Sequence, residues 1–369
     1  MKIYIWGCGA NGKRLYRILT MIGIKLDAFI DSDTQKHSIN SCGIPCFGIE
    51  NVIESKEEYL IIVSPADYES IIDILKVNNI KNYILGHEIV EKCKYLIPEN
   101  GAKEDFKQLC PFNYYESPYP DYSEIYQNEK EIFDKKVIYD INFNKKRQLE
   151  LLELMKNFDK PDWNKDGDSK NRYYADNLYF PVADATLLYY MMRILNPQKI
   201  IEIGSGFSTS VMLDVNENYF ENRIQLLSIE PRPERLKKLL KTTDNLTIYE
   251  TDVQNTSLKI FESLDANDIL FVDSSHISKI NSDVNYIFFE ILPKLKQGVY
   301  IHFHDIFFPY EYPSRWIYGG RAYNEMYILR AFLMNNNAYS VQFGGRVIED
   351  KLNIGHGGSF WIRKEKAND

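Results

Sequence analysis

Two blocks of this chain alternate short apolar runs with longer stretches of helical spacing. In the first, residues 1–97, "KIYIWG", "LDAFID", "YLIIVS" and "NYILG" read as four strands. Between them "NGKRLYRILTMIG" sets Leu15, Ile18, Leu19 and Ile22 on one helix face, and "YESIIDILKVNN" reads as a second amphipathic helix. Continuously apolar strands separated by helices predict a small parallel sheet covered on its faces. Residues 98–140 break the alternation. "PENGAKEDF" and "CPFNYYESPYPDYSEIY" are rich in Pro, Tyr and acids and have no period, which reads as a linker or an arm packed on a domain. A helix resumes in "NFNKKRQLELLELMKNF", with Leu149, Leu152 and Met155 as its apolar stripe.

From residue 180 the second block begins. The helix "ADATLLYYMMRIL" leads to the strand "KIIEIG", and the helix after "GFSTSVMLD" leads to "IQLLSIE". Then come a helix opened by Pro233, the strands "LTIYETD" and "DILFVDSS", a helix near "SDVNYIFFEILPKLK", and the strand "VYIHFHD". The helix "YNEMYILRAFLMNN" precedes two last strands, "YSVQFGG" and "GGSFWIRK". Five strand–helix units and a closing hairpin predict an α/β domain over residues 141–369, with no solenoid repeat.

Composition narrows the class. The 369 residues are 44% hydrophobic and 26% charged, as in ordinary globular proteins, and the net charge of -8 argues against a nucleic-acid-coating protein. "MKIYIWGCG" lacks the apolar run of a signal peptide and no segment reaches transmembrane length, so a cytoplasmic protein is expected. The five cysteines, Cys8, Cys42, Cys46, Cys93 and Cys110, form no metal-like CxxC pairs and read as reduced thiols; Cys42 and Cys46 flank "GIP", read as a turn. The 27 Tyr and 20 Phe exceed what a core requires, and tyrosines commonly line pockets and interfaces.

The stretch "IIEIGSGFSTSV" is a strand, a glycine turn and a helix start. A dinucleotide loop needs a third glycine for its pyrophosphate, and here that position is Thr209. Glu202 stands two residues before Gly204, a poor neighbour for phosphate and a good one for a cationic ligand. S-adenosylmethionine (SAM) carries an ammonium, a sulfonium and no phosphate. Glu230, Asp252 and Asp273 each end a predicted strand, at the carboxyl edge where open α/β sheets bind ligands. Glu230 is placed to accept from ribose hydroxyls and Asp252 to meet an adenine amino group. The donor set is therefore Glu202, Gly204, Ser205, Gly206, Thr209, Glu230, Asp252 and Asp273.

Residues 140–369 resemble the class I SAM-dependent methyltransferases, through "RYYADNLYFPVADATLL", "IIEIGSGFST", "SIEPRPERL", "FVDSSH", "HFHDIFFPYEYPSRW", "YNEMYILRAFL" and "GGSFWI" in that order. The resemblance implies a seven-stranded sheet with a reversed last strand, and methyl transfer to an acceptor held over its carboxyl edge. A hydroxyl acceptor must also lose a proton, which calls for a base or a metal ion. His276, His302 and His304 fall on two adjacent strand ends, joined by Asp273 and Asp305. His304 is the expected base, with Asp305, Asp273 and His276 in support. A divalent metal on Asp273, His276, His304 and Asp305, or a structural role for the histidines, are the alternatives. His302 alternates with Phe303 and ranks below His304. The loop "IFFPYEYPSRWIYGGRAYN" joins aromatic rings to Arg315 and Arg321, which suits a saccharide or nucleotide-linked acceptor, or plain packing and ion pairing.

"GCGANG" places Gly7, Gly9 and Gly12 after a strand and before a helix, with Asp31 ending the second strand, so a dinucleotide reading is legitimate. The stretch resembles the small Rossmann-like domain that precedes bacterial sugar-modifying transferases. That resemblance implies a nucleotide or nucleotide-sugar contact, or a docking or oligomerising role. The leading reading is O-methylation of a saccharide or glycan precursor. An NAD-dependent nucleotide-sugar oxidoreductase or epimerase, and a non-catalytic SAM- or nucleotide-binding regulator, are its rivals.

Overall fold

A computed structural model describes residues 1–21, 23–37, 43–53, 57–64, 68–86, 119–134, 140–165, 171–177, 179–344 and 357–367. The chain divides into two compact units: Met1–Lys135 with Glu311–Ala322, and Lys136–Tyr310 with Tyr323–Asp369. Tyr122–Gln127 and Glu129–Phe133, within the stretch expected as a linker or arm, are short helices.

In the first unit, β1 (Lys2–Trp6), β2 (Ala28–Ile30), β3 (Cys46–Phe47), β4 (Tyr59–Val63) and β5 (Tyr83–Leu85) form a parallel sheet ordered β3-β2-β1-β4-β5 among the described residues. Its core is Trp6, Ile30, Ile61, Val63 and Leu75. The sequence pattern predicts four of these strands. β3, directly after "GIP", is not among them, because two residues give no periodicity. The amide of Phe29 donates to Pro45 O and that of Asp31 to Phe47 O, and these bonds make the pair a strand. Leu15 and Leu19 of the helix Ala10–Met21 are buried; the side chain of Ile18 and all of Ile22 lie outside the described residues. Cys8 and Cys46 are buried free thiols, and Cys42, Cys93 and Cys110 lie outside the described residues.

The second unit is built on seven strands: β6 (Lys199–Ile203), β7 (Gln225–Ile229), β8 (Leu246–Tyr249), β9 (Ile269–Val272), β10 (Tyr300–Phe303), β11 (Tyr339–Gly344) and β12 (Phe360–Lys364), ordered β11-β12-β10-β9-β6-β7-β8. β6 to β10 run parallel, and β12 is antiparallel to both of its neighbours. β6, β9 and β10 are central and buried because both faces of the sheet are covered, and their apolar runs are interrupted inside the core only by Glu202 and His302. The helix Val182–Leu195 packs Leu187, Leu188, Met191 and Met192 into the main core with Ile200, Phe271, Phe343 and Trp361. The helix Lys145–Met155 corrects the predicted stripe. Its buried face is Gln148, Leu151, Leu152 and Met155, while Leu149 is exposed. Gln148 belongs inside because its amide donates to Phe143 O and accepts from the Gly344 amide.

Candidate active site

The turn after β6 joins the strand to the helix Phe207–Phe220. Gly204 has φ +82°, and a Cβ there would stand 2.0 Å from Asp273 O, so only glycine fits. Beneath the turn Glu202 is almost fully buried. Its two carboxylate oxygens accept from Ser208 Oγ (2.6 Å) and Thr209 Oγ1 (2.5 Å), the first hydroxyls of the following helix. Burial pushes the Glu202 carboxyl up to about 8 in spite of these two donors, and the Asp273 and Glu230 charges add to the rise.

This shift has a sign that can be measured. The folded protein holds the Glu202 proton more tightly than the unfolded chain, where the ordinary value is 4.5. The contribution to stability is complete below that unfolded value and is lost as pH rises through about 8. Glu202→Gln keeps the shape and removes the titration. The wild type is expected to lose up to about 1.4 kcal/mol per pH unit from this group between the two values, and the variant to lack that slope. Denaturant titrations of both proteins without ligand check it. Parallel stability–pH curves for the two would refute the assignment.

Glu230 follows β7 directly. Its carboxylate accepts from the Ser205 amide (3.1 Å) and the Arg232 amide (2.7 Å), which ties the end of β7 to the glycine turn. Asp252, expected at the end of the third strand, lies beyond it. β8 ends at Tyr249, and Asp252 is an exposed residue that opens the turn Val253–Asn255.

β9 and β10 end side by side, Val272 opposite Phe303. The Asp273 amide bonds Ile203 O, and the His304 amide bonds Val272 O. These bonds bring Asp273, His276, His304 and Asp305 together at the carboxyl edge, next to the glycine turn. His304 Nδ1 lies 3.3 Å from Asp273 Oδ1 and 3.5 Å from Asp305 Oδ1. His276 Nε2 lies 3.5 Å from Asp273 Oδ1 and 3.4 Å from Asp305 Oδ2. His276 and Asp305 both hold left-handed backbone, φ 61° and 60°, an arrangement kept only where the surroundings fix it.

Two carboxylates absent from the sequence reading complete the cluster. Asp184, on the helix Val182–Leu195, lies 3.3 Å from His304 Nε2 and accepts from Ser359 Oγ (2.6 Å) and the Gly358 amide (3.0 Å). Glu325 opens the helix Glu325–Leu333; it lies 2.8 Å from His276 Nδ1 and accepts from Ser274 Oγ (2.9 Å). The signal for both was a lone carboxylate in an apolar helix, since acids are almost never buried without a partner.

The electrostatics follow from this packing. Burial would lower both imidazoles, but the carboxylates around them hold His276 and His304 well above the usual histidine value, so both are imidazolium at neutral pH. Burial would raise Asp273, and the two imidazoliums hold it far below the carboxylate range instead. Asp184 is lowered in the same way, against its burial, by His304. Asp305 is the exception: burial raises it, and the two imidazoliums only partly offset that. His302 is different in kind. Its ring stacks on Phe271 at 4.0 Å, Nε2 meets Ser359 Oγ at 3.0 Å, and burial, then the His304 charge, hold it well below the usual value and neutral. The Asp273 side chain is 31% exposed and that of Asp305 16%, against 5% for His304 and 7% for His276. The carboxylates therefore face outward and the imidazoliums stand behind them. Among the described residues, no three of these groups are arranged to hold a metal ion.

Residues 201–306 match a protein family described as a methyltransferase domain. A protein of Archaeoglobus fulgidus bearing the name "Uncharacterized protein" is 31% identical over 195 residues, which span 50% of this chain and 87% of that one. This chain belongs to that family and is a SAM-dependent methyltransferase. Among solved structures, the SAH-bound methyltransferase PaMTH1 of Podospora anserina is 15% identical, with a TM-score of 0.36, over 66% of this chain and 95% of that one. The SAH-bound O-methyltransferase of Bacillus cereus is also 15% identical, with a TM-score of 0.32, over 66% of this chain and 97% of that one.

The methyltransferase's other glycine loop lies in the first unit. A Cβ on Gly12 would stand 1.7 Å from Gly7 O, which lets the helix Ala10–Met21 approach β1 only with glycine there, whereas a Cβ on Gly9 meets nothing within 4 Å. Asp31 accepts from the Cys8 amide (2.8 Å) and the Asp33 amide (3.0 Å) and pairs with Lys36 (3.2 Å), and so ties its strand end to the glycine loop as Glu230 does in the second unit. Arg315 and Arg321 lie in Glu311–Ala322, which is counted with this first unit. The Arg321 guanidinium stacks on Trp316 at 4.2 Å, and a Cβ on Gly319 would stand 3.1 Å from the Asn11 side chain. No helix among the described residues is long and apolar enough to cross a membrane.

Proposed function

We propose that the second unit transfers the SAM methyl group to a hydroxyl of a saccharide or nucleotide-linked sugar, and that Asp305 takes the hydroxyl proton. The observation that carries this is the outward carboxylate pair Asp273 and Asp305, backed by two buried imidazoliums beside the Gly204 turn. The acceptor oxygen forms a bond to the methyl carbon, the carbon–sulfur bond breaks, and its electron pair stays on sulfur as a neutral thioether. The acceptor's proton passes to Asp305. His304, the base expected from sequence, already carries its proton and holds Asp305 in place instead. In-line positioning supplies most of the rate, and one positioned base adds about 10²–10⁴.

Glu230 receives the ribose hydroxyls and Asp252 the adenine amino group. Asp273 lies where a sulfonium is favoured. Glu202 acts on the donor through the turn it ties down, and the ammonium strengthens the ionised form of its carboxyl. The saccharide rests on the resemblance of residues 1–97 to the domain of sugar-modifying transferases and on the arginines and rings of "IFFPYEYPSRWIYGGRAYN". A test incubates the enzyme with SAM and a set of nucleotide sugars, following product mass and SAH. A sugar product one methyl group heavier supports the proposal. SAH formed only with amine or thiol acceptors would refute the hydroxyl chemistry.

A further inference from the structure

The donor side of the site carries an arginine that none of these roles uses. Arg235 lies in "SIEPRPERL" on the short helix Glu234–Lys237 after β7. Its guanidinium carbon stands 3.8 Å from the centre of the Tyr179 ring. That ring stacks on Phe207, the first residue of the helix after the glycine turn, at 6.1 Å and 11°. A Cβ on Gly206 would lie 3.5 Å from Arg235 Cδ and 3.7 Å from Nη1. The guanidinium therefore lies over the exposed Tyr179 ring, beside the glycine turn. Its side chain makes no ion pair or hydrogen bond with any described residue. Next to Gly206, Ser205 Oγ is buried and lacks a hydrogen-bond partner.

The acids at this edge, Glu202, Glu230, Asp273 and Asp305, suit the cationic groups of SAM. An arginine among them calls for an anion, and SAM has one, the α-carboxylate of its methionine part. A planar guanidinium fixed by an aromatic face is well suited to a carboxylate, because its donors are already oriented. We infer that Arg235, held by Tyr179, binds the α-carboxylate of SAM, and that Ser205 Oγ donates to the same group. The inference rests on the donor being SAM and adds the residues that select its amino-acid end.

The test titrates SAM and decarboxylated SAM, which lacks only that carboxylate, into the wild type, Arg235→Met and Arg235→Lys. Arg235→Met is expected to weaken SAM about tenfold. Decarboxylated SAM is expected to bind wild type and variant within about twofold of each other, since the lost partner is absent from the ligand. Arg235→Lys falls between, and it is the variant read if the methionine substitution lowers the melting temperature. Unchanged SAM affinity in Arg235→Met, or an equal loss for both ligands, overturns the inference while leaving SAM as donor. A wild type that binds neither ligand overturns the donor as well.

Discussion

Replacing Arg172 with alanine is expected to destabilise the second unit by about 3–5 kcal/mol, a fall in melting temperature on the order of 10 °C. The side chain is 3% exposed and reaches three carboxylates. It donates to Asp214 Oδ1 (2.7 Å), Glu217 Oε2 (2.7 Å), Asp244 Oδ2 (2.8 Å) and, through Nη2, Asp244 Oδ1. The Arg172 and Tyr173 amides also bond Asp214, so one aspartate anchors the "RYYADN" segment to the helix Phe207–Phe220. Burial would lower the guanidinium, and its carboxylate partners raise it well above the usual value instead. The Asp214 carboxyl is itself raised by burial, although the amides and Arg172 pull it down. Without Arg172, Asp214 and Asp244 stay buried with backbone donors alone, and that uncompensated charge is the source of the loss. Urea unfolding of the variant measures it. A change below about 1 kcal/mol would mean the pairs only offset their desolvation and the anchor lies elsewhere.

Asp305→Asn is expected to lower kcat by about 10²–10⁴ while leaving SAM affinity within a few-fold. Asparagine has the same size and tolerates the left-handed backbone at φ 60°, so the fold survives the change. It has no carboxylate to receive a proton. The wild-type rate should fall as pH drops through the Asp305 value, which burial raises above 3.8. That acid limb should vanish in the variant. Retention of wild-type kcat would remove Asp305 from proton transfer. A matching loss of SAM affinity would place it in donor binding instead.

Much of the second unit is legible because its central strands are buried and read as mainly apolar runs followed by acids. Glu230, Asp273 and the His304–Asp305 pair stand at those ends, where sequence position fixes their place on the sheet. What the sequence hides are partners chosen by packing. Asp184 and Glu325 sit in helices far along the chain, and only the fold brings them to the imidazoles. The apolar stripe predicts Leu149 inside, but Gln148 takes the buried place because its side-chain amide finds backbone partners in the core, which no periodicity encodes. β3 is too short to carry a period. The roles proposed for His304 and Asp305 rest on relative exposure and on neighbouring charge, and both come from the folded site alone.

The most direct measurement is a calorimetric titration of the wild-type protein with SAM and, separately, with NAD. The account predicts binding of SAM in the micromolar range and no response to NAD, because the Gly204 turn and its carboxylates suit a cationic ligand rather than a pyrophosphate. Binding of NAD without SAM would contradict it and move the chemistry to the loop of Gly7, Gly9 and Gly12.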